Sequence, residues 1–303
     1  MGISEKSTYG PGIDVSLARR LLDSQFPRWA HLPLTGIASD GTDNAIFRLG
    51  PDMCMRLPRV ARAAGQVDKE QVWLPRLGRL PLDIPVPLAK GQAGEGYPWD
   101  WSVYTWIAGD TAAPDRIADM NEAAENLASF TAALRGAVAT GGPPSGPQNE
   151  YRGVGLALRD AVTRKSMEAL RDEIDLPTVR EIWETALAAP VRPGPPVWIH
   201  GDIHSGNLLV RDGRLCAVID FGLMGVGDPA CDLMVGWNML SFDARDAFRQ
   251  QACVDDATWA RGRGWALSVA LVALAYYRER NADISERSRH TINQVLADRD
   301  WED

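Results

Sequence analysis

Two short polar segments, each directly following an apolar run, constrain this chain more than any other feature. The first reads His-Gly-Asp-Ile-His-Ser-Gly-Asn at residues 200–207 and follows the apolar run 197–199. The second reads Asp-Phe-Gly at residues 220–222 and follows the run 215–219. Short apolar runs of this kind are typical of buried strands. We therefore expect both polar segments to emerge from the end of a buried element.

The two segments supply hard oxygen ligands at one place. Asp202 and Asn207 lie five residues apart, and Asp220 follows the second strand of a hairpin predicted across an Asp-Gly turn. Two carboxylates and one amide oxygen suit Mg²⁺, which proteins commonly hold through one or two side chains together with substrate phosphates. The sequence therefore predicts a magnesium site.

The histidines of the first segment permit another interpretation. If the segment were a strand, His200, Asp202 and His204 would share one face and could bind zinc. A catalytic zinc site requires three protein ligands, and only His31 and His290 remain elsewhere in the chain. We favour a structural role for His200, which would brace the loop.

The order of elements indicates two differently built parts. The first hundred or so residues hold several short strands and one inserted helix, and the remainder is mostly helical. Predicted helices cover residues 13–30, 66–80, 115–138, 154–171, 177–189 and several segments after 232. Predicted strands cover residues 32–38, 45–49, 53–57, 101–107, 197–199, 208–211 and 215–219, with 81–87 extended.

Charge and composition limit the classes of partner that this chain is expected to bind. The chain has 32 Lys and Arg against 40 Asp and Glu, a net charge of −8, which disfavours nucleic acid and favours a cationic small molecule. The longest apolar stretch, residues 265–277, is too short to cross a bilayer of about 30 Å and predicts a buried helix. Four cysteines without Cys-x-x-Cys spacing indicate free thiols in a reducing compartment. We expect a cytoplasmic protein without a membrane partner.

The two polar segments, together with Gly-Val-Gly-Asp-Pro-Ala-Cys-Asp-Leu at residues 225–233, resemble the aminoglycoside phosphotransferase family within the wider protein-kinase-like fold. Gly201 stands where protein kinases carry an arginine, as expected of a small-molecule kinase. The resemblance implies an α+β, bilobal fold. A small β-sheet N-lobe with one inserted helix would cover residues 1–104, a hinge 105–109, and a larger, mostly helical C-lobe 110–303.

The resemblance also implies roles for individual residues. Asp202 would orient the acceptor hydroxyl, and Asn207 and Asp220 would hold Mg²⁺. The implied nucleotide-binding residues are Ser39, Gly41 and Asn44 in the phosphate-covering loop, Arg56 and Glu70, and Thr105 and Ile107 in the hinge.

The third strand departs from the family pattern. Relatives carry a lysine there that contacts the nucleotide phosphates and pairs with the glutamate of the inserted helix. The chain has only four lysines, and the nearest two, Lys69 and Lys90, fall in other elements. We assign the role to Arg56, opposite Glu70, because arginine is always protonated and binds carboxylates and phosphates through two nitrogens.

The implied activity is Mg²⁺-dependent transfer of the γ-phosphate of ATP or GTP to a hydroxyl group of a small molecule, foremost an aminoglycoside or another antibiotic. One alternative is a metabolic kinase for choline, homoserine or a sugar. The other is a nucleotide-binding, pseudokinase-like regulatory module, against which the intact set Asp202, Asn207 and Asp220 argues. The acceptor pocket is expected in residues 110–195 and 233–303, which no motif covers.

Overall fold

The computed structural model describes residues 12–38 and 43–298, which form two compact units. Unit one comprises the described residues up to Gly78 together with Asp83–Ala108. Unit two comprises Arg79–Leu82 and the described residues from Gly109 onward. In the part of the chain that the structure describes, no helix has the length and hydrophobicity needed to cross a membrane.

Unit one is an antiparallel sheet with two helices. The strand order is β1-β2-β3-β5-β4. Apolar residues of α1, among them Leu21 and Leu22, share a fully buried core with Phe47 and Trp101 of the sheet. Gly91 has to lack a side chain, because a Cβ there would overlap the Trp101 indole. The elements are α1 (Val15–Gln25), β1 (Leu34–Ile37), β2 (Asn44–Leu49), β3 (Met53–Pro58), α2 (Ala61–Trp73), β4 (Pro87–Gly91) and β5 (Trp101–Thr105).

The bounds of the inserted helix differ from those predicted at 66–80. It begins at Ala61, and it ends at Trp73 because Pro75 lacks the N–H that a further turn requires. A single 3-10 turn follows, and Gly78 then adopts a left-handed conformation with φ +75°. The prediction also missed β4, whose Pro87 is tolerated at the first position of an edge strand.

Unit two is mostly helical and carries two small sheets, β7 with β10 and β6-β8-β9. Its elements are β6 (Asp110–Thr111), α3 (Met120–Gly136), α4 (Asp160–Ala169), α5 (Leu176–Ala188), β7 (Val197–Ile199), β8 (Leu208–Arg211), β9 (Arg214–Val218), β10 (Gly225–Gly227), α6 (Val235–Asn238), α7 (Phe242–Ala252), α8 (Asp256–Tyr277) and α9 (Ala282–Ala297).

Two helices of unit two begin later than predicted. Helix α3 begins at Met120, not at residue 115, because the Asp119 carboxylate accepts the N–H groups of Asn121 and Glu122. Helix α4 begins at Asp160 after a 3-10 segment, Leu156–Arg159. The apolar stretch 265–277 forms the second half of α8, as predicted, and it is largely buried up to Leu274, whereas Tyr276 is exposed.

The predicted hairpin is present as β8 and β9. Asp212 and Gly213 both have positive φ, 52° and 79°, which is the conformation a tight two-residue hairpin turn requires. Leu208 pairs with Val218, so the segments entering β8 and leaving β9 lie at the same end of the hairpin. This end carries the polar residues described next.

Candidate active site

A fully buried histidine organises the first polar segment of unit two. The Asp202 N–H donates to His200 Nδ1 over 3.2 Å, and His200 Nε2 lies 3.1 Å from the carbonyl oxygen of Ile219. Both contacts are satisfied by the tautomer with its proton on Nε2. The ring also packs edge-on against Phe221, with centroids 4.6 Å apart. His200 thus ties the two polar segments together, which is the bracing role expected of it.

In this arrangement His200 is not available as a zinc ligand. Both ring nitrogens of His200 are engaged inside the protein, and the side chain is fully buried. Within residues 12–38 and 43–298, no group of three His, Cys, Asp or Glu side chains is placed to bind one metal ion. The His-x-Asp-x-His spacing therefore reflects packing and not a zinc centre.

Asp232 holds the backbone at the start of the same segment. One carboxylate oxygen accepts the His200 N–H over 2.8 Å, and the other accepts the Gly201 N–H over 2.7 Å. Asp232 is 3% exposed, and burial raises the pKa of its carboxyl. The following 3-10 turn is capped by Asp228, whose carboxylate accepts the Ala230 N–H over 3.1 Å.

Asp202 is surrounded by cationic and polar groups. Its Oδ1 lies 3.5 Å from Arg152 Nη2, and its Oδ2 lies 3.6 Å from His204 Nε2 and 3.4 Å from Asn207 Nδ2. Burial acts to raise the pKa of Asp202, but the combined effect of His204 and Arg152 is larger, and the net pKa lies well below its ordinary value. Asp202 is therefore a carboxylate held in a defined orientation.

Asn207 and Asp220 meet at the end of the hairpin. The Ile219 N–H donates to the Asn207 carbonyl oxygen over 2.9 Å, which fixes the two polar segments side by side. The Asn207 side-chain nitrogen donates to the Asp202 carbonyl oxygen over 3.0 Å, so its amide oxygen is the atom left for a cation. Asp220 adopts a left-handed conformation, φ 62°, of the kind that strained functional positions often show. This donor set of hard oxygens fits Mg²⁺.

In unit one, the structure brings Arg56 and Glu70 together. Arg56 Nη1 on β3 lies 3.2 Å from both carboxylate oxygens of Glu70 on α2. The Tyr104 hydroxyl on β5 donates to Glu70 Oε2, and the Arg56 guanidinium lies over the Tyr104 ring. Glu70 is 3% exposed and Arg56 13%. Tyr104 was not among the predicted site residues, and no sequence pattern identifies it.

The remaining predicted nucleotide-binding residues are placed as follows. Ser39 and Gly41 lie outside the described residues. Asn44 opens β2 and lines a small pocket beside Arg56 and Glu70.

The hinge residues differ in which backbone groups are available. The Thr105 N–H donates to the Val86 carbonyl oxygen over 2.9 Å, and the Trp106 N–H donates to that of Asp52 over 2.7 Å. For Ile107, by contrast, the described part of the chain offers neither backbone group a hydrogen-bond partner. Of the two predicted hinge residues, Ile107 is thus the one with an available backbone donor.

Comparison with known proteins agrees with this arrangement. A model of the phosphotransferase enzyme family, APH, matches residues 34–265, about three quarters of the chain. The aminoglycoside 3'-phosphotransferase of Escherichia coli is 39% identical over 64 residues, which are 21% of this chain and 23% of that protein. The chain thus matches less than a quarter of that relative's length.

Solved structures extend the likeness over most of the chain. The GDP complex of wild-type aminoglycoside 2'-phosphotransferase-IIIa superposes with a TM-score of 0.68 at 17% identity, covering 94% of this chain and 99% of that one. The macrolide 2'-phosphotransferase MphH of Brachybacterium faecium gives 0.57 at 22% identity, covering 92% and 98%. The fold is therefore that of the kinase-like phosphotransferases, as expected. The chain belongs to the phosphotransferase enzyme family APH.

Proposed function

We propose that the chain transfers the γ-phosphate of ATP or GTP to a hydroxyl group of an antibiotic of the aminoglycoside or macrolide kind. The observation that carries this proposal is the joined pair of polar segments in unit two, in which Asp202, Asn207 and Asp220 converge at one hairpin end. The comparison structures support it, since relatives of this fold are described as complexes with GDP and kanamycin. The net charge of −8 favours a cationic acceptor.

Asp202 is proposed to orient the acceptor hydroxyl toward the γ-phosphorus and to accept its proton. Its pKa is lowered, so Asp202 is ionised and able to accept a hydrogen bond from the hydroxyl. Asn207 and Asp220 would hold Mg²⁺, which supplies positive charge to the phosphate oxygens when bound. These roles use the groups of unit two alone.

Arg56 of unit one is proposed to bind the nucleotide phosphates. Its Nη1 contacts both oxygens of Glu70, and a guanidinium is a planar fork of donors whose geometry matches phosphate. The Ile107 backbone is proposed to bind the nucleotide base, since its N–H and carbonyl are not committed within the described chain. Ser39, Gly41 and Asn44 would cover the phosphates.

The acceptor class is tested by measuring ATP and GTP consumption with Mg²⁺ against aminoglycosides, macrolides, choline, homoserine and sugars. Turnover with an aminoglycoside or macrolide supports the proposal. Turnover confined to choline, homoserine or a sugar would establish a metabolic kinase instead. Nucleotide binding without turnover on any acceptor would favour the regulatory module.

Two variants test the residue roles. We expect Asp202→Asn to lower kcat by about 10²–10⁴-fold while nucleotide binding persists, because only orientation and proton acceptance are lost. We expect Asp220→Ala to abolish the thermal stabilisation that Mg-ATP gives to the protein. Loss of nucleotide affinity in Asp202→Asn, or unchanged stabilisation in Asp220→Ala, would contradict these assignments.

A further inference from the structure

An arginine from a distant loop of unit two lies against the candidate catalytic carboxylate. Arg152 Nη2 is 3.5 Å from Asp202 Oδ1, although 50 residues separate the two in sequence. The Arg152 side chain is 12% exposed. Its Nε and Nη1 are buried, and neither has a hydrogen-bond partner among the described residues. Burying a cation with such incomplete pairing costs free energy, so stability of the fold gives no reason for its presence.

The loop that carries Arg152 is held in an unusual backbone conformation. Glu150 and Tyr151, neither of them glycine, have φ values of 53° and 60°. Left-handed conformations are unfavourable for residues other than glycine unless the surroundings impose them. Gly153 follows with φ 75°, and a side chain there would overlap Ile199. Strain of this kind is common where a backbone presents a functional side chain.

The surroundings do impose this conformation. Asn149 is fully buried, and its side chain accepts the Gly146 N–H over 2.9 Å and donates to the Arg152 carbonyl oxygen over 3.0 Å. The Asp228 N–H donates to the Gly153 carbonyl oxygen over 2.7 Å. The backbone on both sides of Arg152 is therefore fixed, and the direction of its Cα–Cβ bond with it.

Gly201 provides the space for this arginine. A Cβ built on Gly201 would lie 3.1 Å from Arg152 Cβ, 3.4 Å from Arg152 Cγ and 2.6 Å from the Leu223 carbonyl oxygen. The residue directly before Asp202 thus lacks a side chain at the place where the Arg152 stem passes.

We propose that Arg152 is a positioning residue for Asp202, an inference that rests on the proposed function. Arg152 holds Oδ1, while His204 and Asn207 contact Oδ2. The carboxylate plane is thereby fixed from both oxygens, with the remaining lone pair of Oδ1 available to the acceptor hydroxyl. Removal of the Arg152 side chain should therefore lower kcat and leave nucleotide binding unchanged.

The test compares Arg152→Met and Arg152→Lys with wild type by measuring ADP formation from Mg-ATP. Kanamycin is the acceptor; if wild type does not phosphorylate it, the best acceptor of the screen replaces it. Arg152→Met should lower kcat by about 10²-fold with little change in the KM for ATP, since a misplacement near 1 Å has an effect of that size. Arg152→Lys should recover part of that loss because it restores the charge. Unchanged kcat in Arg152→Met would overturn the inference and leave the proposed function intact.

Arg159→Met is the matched control. Arg159 is equally buried in unit two, but its Nε donates to Ser268 Oγ over 2.9 Å and it has no hydrogen bond or ion pair with Asp202. It should lower the melting temperature without lowering kcat. A kcat loss equal to that of Arg152→Met would show general disruption and overturn the positioning role.

A second readout does not depend on activity. Melting temperatures of Arg152→Met, Asp202→Asn and the double variant form a double-mutant cycle. If Arg152 and Asp202 are coupled, the change in melting temperature of the double variant differs from the sum of the changes in the two single variants. Additive changes in melting temperature would overturn the inference even if no acceptor supported turnover. A wild-type protein without turnover on any acceptor would contradict the proposed function alone.

Discussion

At the scale of single residues, the candidate site depends on side chains that form hydrogen bonds with two groups at once. Asp232 is the clearest example, because each of its oxygens accepts one backbone N–H of the first polar segment, residues 200–207. An asparagine of the same size has only one acceptor oxygen, and its NH₂ would face an N–H donor. The chemistry of this position therefore requires a carboxylate.

We expect Asp232→Asn to lower the free energy of unfolding by about 1–3 kcal/mol, the cost of one unsatisfied buried donor. It should also reduce kcat, because the His200 and Gly201 amides lose a fixed anchor directly before Asp202. Urea denaturation and steady-state kinetics measure the two effects.

Asp228→Asn is the control for this prediction. The Asp228 carboxylate pairs with Arg261 over 2.7 Å and, within the described part of the chain, has no hydrogen bond to residues 200–207. It should be destabilising with nearly unchanged kcat for the folded protein. If both variants affected kcat equally, anchoring of the segment by Asp232 would be refuted.

From the sequence we could predict contacts between residues of contiguous motifs, but not the contacts that Arg152 and Tyr104 make. Asp202, Asn207 and Asp220 could be located because the hairpin between their segments is short. Arg152 and Tyr104 could not, since one comes from a loop shaped by buried Asn149 and the other from an apolar strand. Their roles arise from tertiary contacts that no local pattern encodes.

At the scale of elements, helix α2 depends on side-chain ties to the sheet for its position. Its N-terminus has no side-chain cap. Glu70 contacts Arg56 and Tyr104, and the Gln71 side-chain nitrogen donates to Ser102 Oγ over 3.1 Å. Three strand residues thus hold one face of the helix, so the orientation of Arg56 and the placement of α2 are linked.

We expect Tyr104→Phe to destabilise unit one by about 1–3 kcal/mol, because buried Glu70 loses a donor. It should also raise the KM for ATP, since the Arg56–Glu70 pair is held less firmly, while kcat changes less. Thermal denaturation and initial-rate kinetics across ATP concentrations provide the measurements.

Tyr97→Phe is matched to this change. The Tyr97 hydroxyl is also buried in unit one and donates to the Pro58 carbonyl oxygen over 2.7 Å. It should give a similar loss of stability with an unchanged KM for ATP. An equal rise in KM would show that any loosening of the sheet suffices, and the specific link through Glu70 would be wrong.

Element types were more predictable than element ends. The inserted helix, the three-strand run before it and the hairpin followed from periodicity and turn residues. Helix ends depend on single residues whose effect hydrophobic periodicity does not show, such as Pro75 at the end of α2 and Asp119 at the start of α3. Edge strand β4 was missed because prolines obscure its strand pattern.

At the scale of the whole molecule, two buried thiols can report on the two units separately. Cys54 lies in unit one and Cys231 in unit two, and both are free. Burial raises the pKa of the Cys54 thiol to about 11 and also raises that of Cys231. At pH 8 only about one thiol in a thousand at Cys54 would be the reactive thiolate. Neither should react with iodoacetamide until its unit opens.

We expect Cys54 to become reactive at lower urea than Cys231. Unit one holds about a third of the chain, and a smaller unit buries a smaller fraction of its surface. Pulsed alkylation at increasing urea, with mass spectrometry of the labelled peptides, measures both midpoints. Exposed Cys253 should react throughout and serves as the internal control. A single midpoint for Cys54 and Cys231 would show that the two units unfold as one cooperative body, and the expectation from size would then be wrong.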